Sequence, residues 1–454
     1  MGRKGRGCWL PAWLGVLLLS AALLTAAEVP ASTTAWSLLV LPFQPLELER
    51  EEQWLGEGVA HLLSLALVNH PAFILVDPLR VRRLGQPEAW GEEVILRTAR
   101  SIRADLAFYG DVKRVSGDLI VVPRYMEFKG GNAQPRALPP LTVPEGKIPQ
   151  RLTGLPLAYI RALNLPVTDA EVTRIEKAAM STKSLRAFEA FVKGRGAALL
   201  GTQAGHEAAA DLLGKAVELD ATFVAAQYSL GLAHLSLGNR WKAAAQFRAS
   251  TQLDPTFPEP YKALGDLFLA APRRLFDQAV EAYQKALELR PFYADAYVGL
   301  GDARAAKSDV DGAISSYQKA LLYNPGNPKV HMSLGKIYFA EKGLYYEAVG
   351  SYKKAIELDP QFLEARMGLG EVYEDKGLYE DAIREYRKVV ELEPQHTGAL
   401  YNLALVYERV DPREAIAQWE RYIQIAVLLP AEKDWVDVAR QHLRKLKTQV
   451  ERDR

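Results

Sequence analysis

The stretch that decides the fold is residues 294–325, which read ADAYVGLGDARAAKSDVDGAISSYQKALLYNP. It carries the pair Leu300-Gly301, then Ala313 and, four positions later, Tyr317. Apolar residues recur at helical spacing in both halves, so the stretch predicts two helices. Gly301 and Ala313 mark places where the helices approach too closely for a larger side chain, and Tyr317 fills the space beside them. A closing proline prevents the second helix from running on.

The same pattern recurs over residues 222–429. The Leu-Gly pair returns at Leu230-Gly231, Leu264-Gly265, Leu334-Gly335 and Leu369-Gly370, and it loosens to Leu403-Ala404. The closing prolines are Pro255, Pro291, Pro325, Pro360 and Pro394, at spacings of 36, 34, 35 and 34 residues. One helical hairpin cannot bury its own apolar face, so neighbouring hairpins must stack into a solenoid with a concave inner wall.

This pattern resembles the tetratricopeptide repeat, and the resemblance implies a right-handed superhelix of helical hairpins. We predict six repeats over residues 222–429 and a C-terminal capping helix over 430–450. Residues 148–221 are expected to form connecting helices and one degenerate repeat. In that repeat Ala209 and Ala216 occupy the positions of small residues, and Leu213 occupies the aromatic position. Ala221 stands where the proline would be.

Residues 36–128 predict a small α/β domain. Strand-like runs at 37–43, 73–76, 106–115 and 119–127 are separated by helical patterns at 51–68 and 92–102, with Ser116-Gly117-Asp118 as a hairpin turn. This order predicts one sheet with helices packed on it. The fold class is therefore α+β and multidomain, a small α/β sandwich followed by an all-α repeat solenoid.

Three segments of this domain, residues 40–43 (VLPF), 55–58 (LGEG) and 104–110 (ADLAFYG), resemble the amino-terminal domain of TolB and the FlgO- and CsgG-type domains of bacterial envelope proteins. The resemblance implies a domain that assembles or binds other envelope proteins, and it supplies no catalytic residues. Two departures stand out: the basic segment 80–86, and the proline- and glycine-rich residues 129–147, which we interpret as a linker.

The N-terminus has the features of a secretory signal peptide over residues 1–27. Arg3, Lys4 and Arg6 precede an apolar run from Trp9 to Leu24, and small residues follow. The alternative is an uncleaved inner-membrane anchor, because the run is just long enough to span a bilayer. In either case the body of the protein is expected to be exported, to a bacterial periplasm or beyond the cell.

Composition limits the possible partners. The chain is 49% hydrophobic and 24% charged, which is typical of a folded protein. Its formal charge of +1 loses three positive charges with the leader and becomes −2. A near-neutral protein argues against nucleic acid as the main partner. The one cysteine, Cys8, lies in the leader, so we expect neither disulfides nor thiolate metal sites.

No catalytic, cofactor or metal motif emerges. The seven histidines show no helical metal-pair spacing, and Gly56-Glu57-Gly58 lacks the third glycine of a dinucleotide fingerprint. Paired acids such as Glu92-Glu93 occupy first turns of helices, where the helix dipole favours them. We therefore predict no enzyme, no cofactor and no metal.

Repeat register predicts a protein-binding surface on the concave face. In this family the inner wall comes from positions three before and one after the Leu-Gly glycine of each first helix. Apart from two leucines at those positions, the residues are Tyr228, Lys262, Asp266, Val298, Asp302, Met332, Lys336, Met367, Glu371 and Tyr401. The Lys/Asn clamp by which some such repeats hold an acidic carboxyl terminus is not reproduced. Tyrosine, methionine and alternating charge suit an extended peptide or an adaptable protein surface.

Together these features predict an exported, non-enzymatic scaffold that binds partner proteins in the repeat groove during assembly of an envelope or secreted structure. A first alternative is a self-associating structural protein, a homo-oligomer or filament built through stacked arrays. A second is a ligand-sensing accessory subunit whose α/β domain binds a small molecule. No membrane contact is expected except through an uncleaved leader.

Overall fold

The computed structural model describes residues 35–82, 84, 90–128, 133–144, 147–148, 150–179 and 182–452. The predicted leader, residues 1–27, lies outside them. No helix in the described part combines the length and apolar character needed to cross a membrane.

The first part of the chain builds a mixed sheet. Its strands are β1 (Trp36–Val40), β2 (Gln44–Leu46), β3 (Phe73–Leu75), β4 (Leu106–Val115), β5 (Asp118–Glu127), β6 (Pro135–Ala137) and β7 (Leu141–Val143). The strand order is β3-β1-β4-β5-β6, with β2 also beside β4 and β7 also beside β5. β1 is parallel to β3 and β4, whereas β4 and β5 form an antiparallel hairpin.

Helices cover both faces of this sheet, which confirms the predicted α/β sandwich. They are α1 (Trp54–Leu67), the short α2 (Pro78–Arg82) and α3 (Glu92–Ile102). Leu38 and Phe108 share a buried cluster with α1, while their strand neighbours Leu39 and Ala107 belong to a second cluster with α3. This alternation follows from the period of two along a strand.

The hairpin between β4 and β5 turns at Ser116 and Gly117, as the sequence predicts. Val115 pairs with Asp118, so two residues form the turn. Both have positive φ, 52° and 89°, which is the requirement of a type I′ turn.

The segment interpreted as a linker belongs in part to the sheet. β6 and β7 pair with β5 along its free edge, with Met126 opposite Pro135 and Val121 opposite Leu141. Proline is accepted here because an edge strand needs no amide donor on its outer side. Residues 135–137 and 141–143 are therefore strands, which corrects the linker interpretation for them.

The connecting helices also belong to the core of the α/β region. They are a 3-10 helix (Gln150–Gly154), α4 (Leu155–Ala162) and α5 (Asp169–Ala179). Pro156 lies in the first turn of α4, where it leaves the helix straight. Tyr159 stacks on Phe108 with ring centroids 3.9 Å apart, and its hydroxyl donates to the carbonyls of Tyr109 and Arg124.

The rest of the chain is a series of antiparallel helical hairpins. The helices are α6 (Leu185–Ala198), α7 (Gln203–Leu219), α8 (Val224–Ser236), α9 (Arg240–Leu253), α10 (Pro258–Leu269), α11 (Phe276–Leu289), α12 (Ala294–Ala306), α13 (Val310–Tyr323), α14 (Pro328–Ala340), α15 (Tyr345–Leu358), α16 (Leu363–Asp375), α17 (Tyr379–Leu392), α18 (Thr397–Val410) and α19 (Pro412–Ala426). Pairs α6/α7 to α18/α19 are the successive repeats, and the all-α solenoid is thus confirmed.

Each second helix ends where the repeat pattern predicts. Asp254 adopts an extended backbone after α9, as the residue before a proline prefers. Asp220 is equally extended although Ala221 follows it. There the Asp220 carboxylate accepts hydrogen bonds from the Thr182 hydroxyl (2.5 Å) and from the Thr222 amide (3.0 Å). The Asp254 carboxylate accepts the equivalent bond from the Thr256 amide (2.9 Å), so this turn is the same with and without a following proline.

The chain ends in a long helix, α20 (Lys433–Arg452), which packs along α19. Its buried residues are Val436, Ala439 and Leu446. Trp435 is 54% exposed.

The α/β region contacts the first repeats directly. The ammonium of Lys177 on α5 pairs with Asp254 at 2.7 Å, in the loop between the first and second full repeats. Arg290, at the end of α11, donates to the side chain of Asn69 just beyond α1 (3.0 Å). The sheet and the beginning of the solenoid therefore form one compact body.

Candidate functional site

The first helices of the repeats are held close to the second helices by a glycine that faces an aromatic ring. A Cβ atom built on Gly301 would lie 2.5 Å from Cε1 of Tyr317. The same relation holds between Gly265 and Tyr283, at 2.7 Å. Only a hydrogen fits there, so these rings are fixed between adjacent helices and their hydroxyls point toward the first helices.

The hydroxyls of these rings donate to carboxylates on the predicted concave wall. Tyr283 donates to Asp266 at 2.7 Å and Tyr317 to Asp302 at 2.5 Å. Both acids directly follow the Leu-Gly glycine. In a later repeat Tyr386 donates to Glu374, one turn further along its helix, at 3.0 Å. Core tyrosines therefore orient a row of groove carboxylates.

Burial raises the pKa of several of these carboxyl groups. For Asp302 burial is the main cause; Asp266 adds to the increase, while the Tyr317 hydrogen bond and Lys262 oppose it. Burial and then Glu374 raise the pKa of Glu371, against a smaller effect of Lys336. Nearby cations therefore only partly compensate the negative charge along this wall.

A cleft of about 450 Å³ opens between the third and fourth full repeats. Its lining combines apolar and polar side chains, with Met332 and Ile337 on α14 and Asp302 on α12. Lys336 is exposed at the same cleft, and in the described part of the chain no hydrogen bond or ion pair engages its ammonium group. The volume lies within the roughly 300–1,000 Å³ usual for ligand pockets.

Three of the predicted site residues, Asp302, Met332 and Lys336, thus meet in one cleft. Glu371 continues the wall on α16 and interacts electrostatically with Lys336. Val298 and Met367 are half-buried and pack against the repeat cores. These six residues span the third to fifth full repeats.

The remaining predicted residues are engaged within the protein. At the N-terminal end Tyr228 packs against Phe247 and Phe257, with ring centroids 5.7 and 5.6 Å apart. Lys262 forms an ion pair with Asp266 (2.8 Å). The contact of Tyr228 with Phe257 depends on the neighbouring repeat, so register alone does not reveal it. Lys262 and Asp266 are four residues apart on α10, a spacing that the sequence does contain.

Tyr401 at the C-terminal end is enclosed by aromatic rings. Its centroid lies 5.0 Å from that of Trp419, 5.4 Å from Tyr422 and 5.5 Å from Trp435 of α20. Edge-to-face pairs of this kind stabilise packing. Tyr401 therefore helps to hold the capping helix in place, and the open groove ends before Tyr401.

Sequence reasoning missed part of the wall. Glu374 and Glu408 lie four positions after the repeat glycine or its Ala404 replacement, one turn beyond the position used for the prediction. Glu408 accepts from the Trp419 indole at 2.7 Å and contacts His442 of α20. Both glutamates have the same spacing from the repeat glycine position, so the sequence contains a pattern by which they could have been identified.

A second, smaller cavity of about 100 Å³ lies in the α/β region, at the carboxyl ends of β1 and β3. Glu57 and His61 of α1 and Arg82 of α2 line it. Burial raises the pKa of Glu57, and burial together with Arg195 lowers that of His61 to about 3. Polar groups thus converge where the sequence indicated none, but the space is well below the roughly 300 Å³ of usual ligand pockets.

In the described residues no group of three or more His, Cys, Asp or Glu side chains is arranged to hold a metal ion. The arrangement in the groove is that of a binding surface, with oriented carboxylates, one free ammonium and adaptable thioethers.

Family models match three parts of the solenoid. Residues 263–328 and 363–396 match models described as tetratricopeptide repeat, and residues 339–377 match one described as TPR repeat. These matches confirm the tetratricopeptide repeats. Such repeats generally mediate protein–protein interactions and scaffolding, and they bind peptides or proteins in the repeat groove. The fold is typically a non-enzymatic interaction scaffold.

Solved structures share the repeat architecture over part of the chain. MamA is 27% identical, with 36% of this chain and 95% of MamA covered and a TM-score of 0.34. YrrB, described as a TPR protein with an unusual peptide-binding site, is 25% identical, with 44% and 99% covered and a TM-score of 0.36. PilF from Pseudomonas aeruginosa is 18% identical, with 51% and 98% covered and a TM-score of 0.42. No curated protein sequence matches this chain.

Proposed function

We propose that this protein is an exported, non-enzymatic scaffold that holds an extended segment of a partner protein in the groove of its third to fifth full repeats. Its task is the assembly of an envelope or secreted structure in a bacterium. The observation that carries the proposal is the open cleft at Asp302, Met332 and Lys336. Concave solenoid faces are the usual contact surface of repeat proteins.

The lining of the cleft suits a peptide better than a rigid small molecule. Met332 adapts its flexible thioether to different side chains. Lys336 is free to donate to a backbone carbonyl of the partner, and the Asp302 carboxylate is held in place by Tyr317. These groups offer apolar contact and hydrogen bonding along one wall, which is how extended segments are recognised.

The envelope setting is supported by the α/β region and the leader. The order strand, helix, strand, helix, hairpin accords with a TolB-, FlgO- or CsgG-like domain, which would dock on other envelope components. The leader over residues 1–27 would direct the chain to the periplasm or outside the cell, or anchor it in the inner membrane if it is not cleaved. Fractionation of cells that express the full chain, followed by N-terminal sequencing, tests this part.

The binding proposal is tested by crosslinking in intact envelopes and capture of the protein. The variant Met332→Asp with Lys336→Glu changes the cleft, and Lys215→Glu on α7 is the control because it alters the same charge at an exposed site outside the cleft. We expect one partner to be captured by wild type and control and lost by the cleft variant. Equal capture by all three proteins would refute the groove as the binding site.

A further inference from the structure

The open groove carries more negative than positive charge. Four carboxylates border it: those of Asp302, Glu341, Glu371 and Glu374. Asp302 and Glu341 line the cleft itself, and Glu371 and Glu374 interact with each other on α16. The cations that act on them are Lys336 at the cleft, Arg409, which acts on Glu374, and Lys262, which acts on Asp302. The excess charge points to a cationic occupant.

The protein itself leaves part of these carboxylates unsatisfied. Tyr317 donates to Oδ1 of Asp302, and Tyr386 donates to Oε2 of Glu374, so each hydroxyl engages one oxygen of its carboxylate. Lys262, which acts on Asp302, is already paired with Asp266. An ionised carboxylate in partly buried surroundings is costly unless a cation or donor approaches it.

We propose that the groove selects a partner segment that carries a lysine or arginine side chain, whose cationic end lies beside Asp302 and Glu341, the two carboxylates that line the cleft. The inference rests on the proposed function. The aliphatic part of such a side chain lies against Met332 and Ile337, since long basic residues bury their stems while their charged ends stay with polar groups. An acidic carboxyl terminus would face repulsion along this wall.

The test is selection of random dodecapeptides displayed on phage against purified protein expressed from the full chain. Wild type is compared with Met332→Trp, whose larger side chain fills the cleft, with Asp302→Asn plus Glu341→Gln, which removes the two carboxylates that line it, and with Glu347→Gln, an exposed control on α15. We expect a lysine or arginine at a fixed place in the peptides enriched by wild type and by the control. Replacing that residue by glutamine in the synthetic peptide should weaken binding at least tenfold.

The Asp302→Asn plus Glu341→Gln protein should bind the unmodified peptide at least tenfold more weakly than wild type does, and it should bind the glutamine peptide as wild type does. If Met332→Trp abolishes binding of the enriched peptides, but these lack a basic residue or bind the charge variant equally well, this inference is overturned and the proposed function stands. Enrichment that Met332→Trp does not affect would overturn both. Binding that weakens steeply between 50 and 300 mM salt is a further expected result, because the contact is ionic.

Discussion

Tyr317 is held from two sides. Its ring lies against Gly301 in a space where a Cβ would come within 2.5 Å, and its hydroxyl is bonded to Asp302 at 2.5 Å. The ring cannot retreat from an added methyl group without breaking the bond that orients the groove carboxylate. Core packing and site geometry therefore depend on the same side chain.

Gly301→Ala should destabilise the central repeats by about 1–3 kcal/mol, because overpacking forces side chains off their rotamers or shifts the backbone. Gly301→Leu should do more and unfold neighbouring repeats together. Gly350→Ala on α15 is the control, since a Cβ there meets nothing within 4 Å and alanine favours the helix by roughly 0.5–1 kcal/mol. Thermal unfolding followed by circular dichroism measures all three; a Gly301→Leu curve identical to wild type would contradict this register.

His61 of α1 should make the fold sensitive to acid. It packs edge-on against Phe191, and burial, with Arg195 nearby, lowers its pKa to about 3. The unfolded chain binds a proton near pH 6.5, so stability is lost as the pH falls from about 6.5 toward 3, by at most about 1.4 kcal/mol for each pH unit.

The measurement is urea unfolding of wild type and His61→Gln at pH 7.5 and 4.5. At the higher pH the variant should be less stable because it loses packing. At the lower pH the gap should shrink, since only wild type carries a buried group that resists protonation. A gap that is the same at both pH values would show that His61 does not titrate in this way.

The capping helix α20 should keep the solenoid monomeric. Val436, Ala439 and Leu446 are buried against the last repeat, and Trp435 lies against Tyr401. Removing residues 432–454 exposes this apolar end, which should then associate with other copies. Light scattering after gel filtration measures the mass. Truncation after Leu446 is the control and should stay monomeric; a monomeric 432–454 deletion would contradict the capping role.

Periodic elements were predictable from the sequence, and elements that depend on distant partners were not. The helix at 92–102 is found with the predicted bounds, since a strong apolar period decides it locally. β6 and β7 were missed because three-residue edge strands exist only through pairing with β5. The same limit applies to the groove. The structure brings Asp302 and Lys336, both chosen by register, into one cleft, but register cannot show that α20 encloses Tyr401.

Across the whole molecule, a buried polar contact joins the α/β region to the repeats. Arg290 is only 2% exposed. Its Nη2 donates to Oε1 of Glu259 at 2.6 Å and to the Asn69 side chain at 3.0 Å. The guanidinium also lies 4.7 Å from the Tyr293 ring centroid. This contact links the end of α1 to the second full repeat.

Arg290→Met should weaken the contact between the α/β region and the second full repeat. Methionine fills the volume but leaves the Glu259 carboxylate buried without a counter-charge, and breaking one side of a buried pair costs roughly 3–5 kcal/mol. Adding Glu259→Gln should restore part of the loss, since no buried charge then remains. Arg384→Met is the matched control. Arg384 pairs with Asp381 at 2.7 Å on the surface, where 71% of its side chain is exposed, and such pairs contribute about 0–1 kcal/mol.

Hydrogen exchange measures the effect. Amide hydrogens at the end of α1 and in α10 should exchange faster for Arg290→Met alone. Equal protection in Arg290→Met and Arg384→Met would mean that the α/β region is held to the repeats by apolar packing, without a contribution from this ion pair.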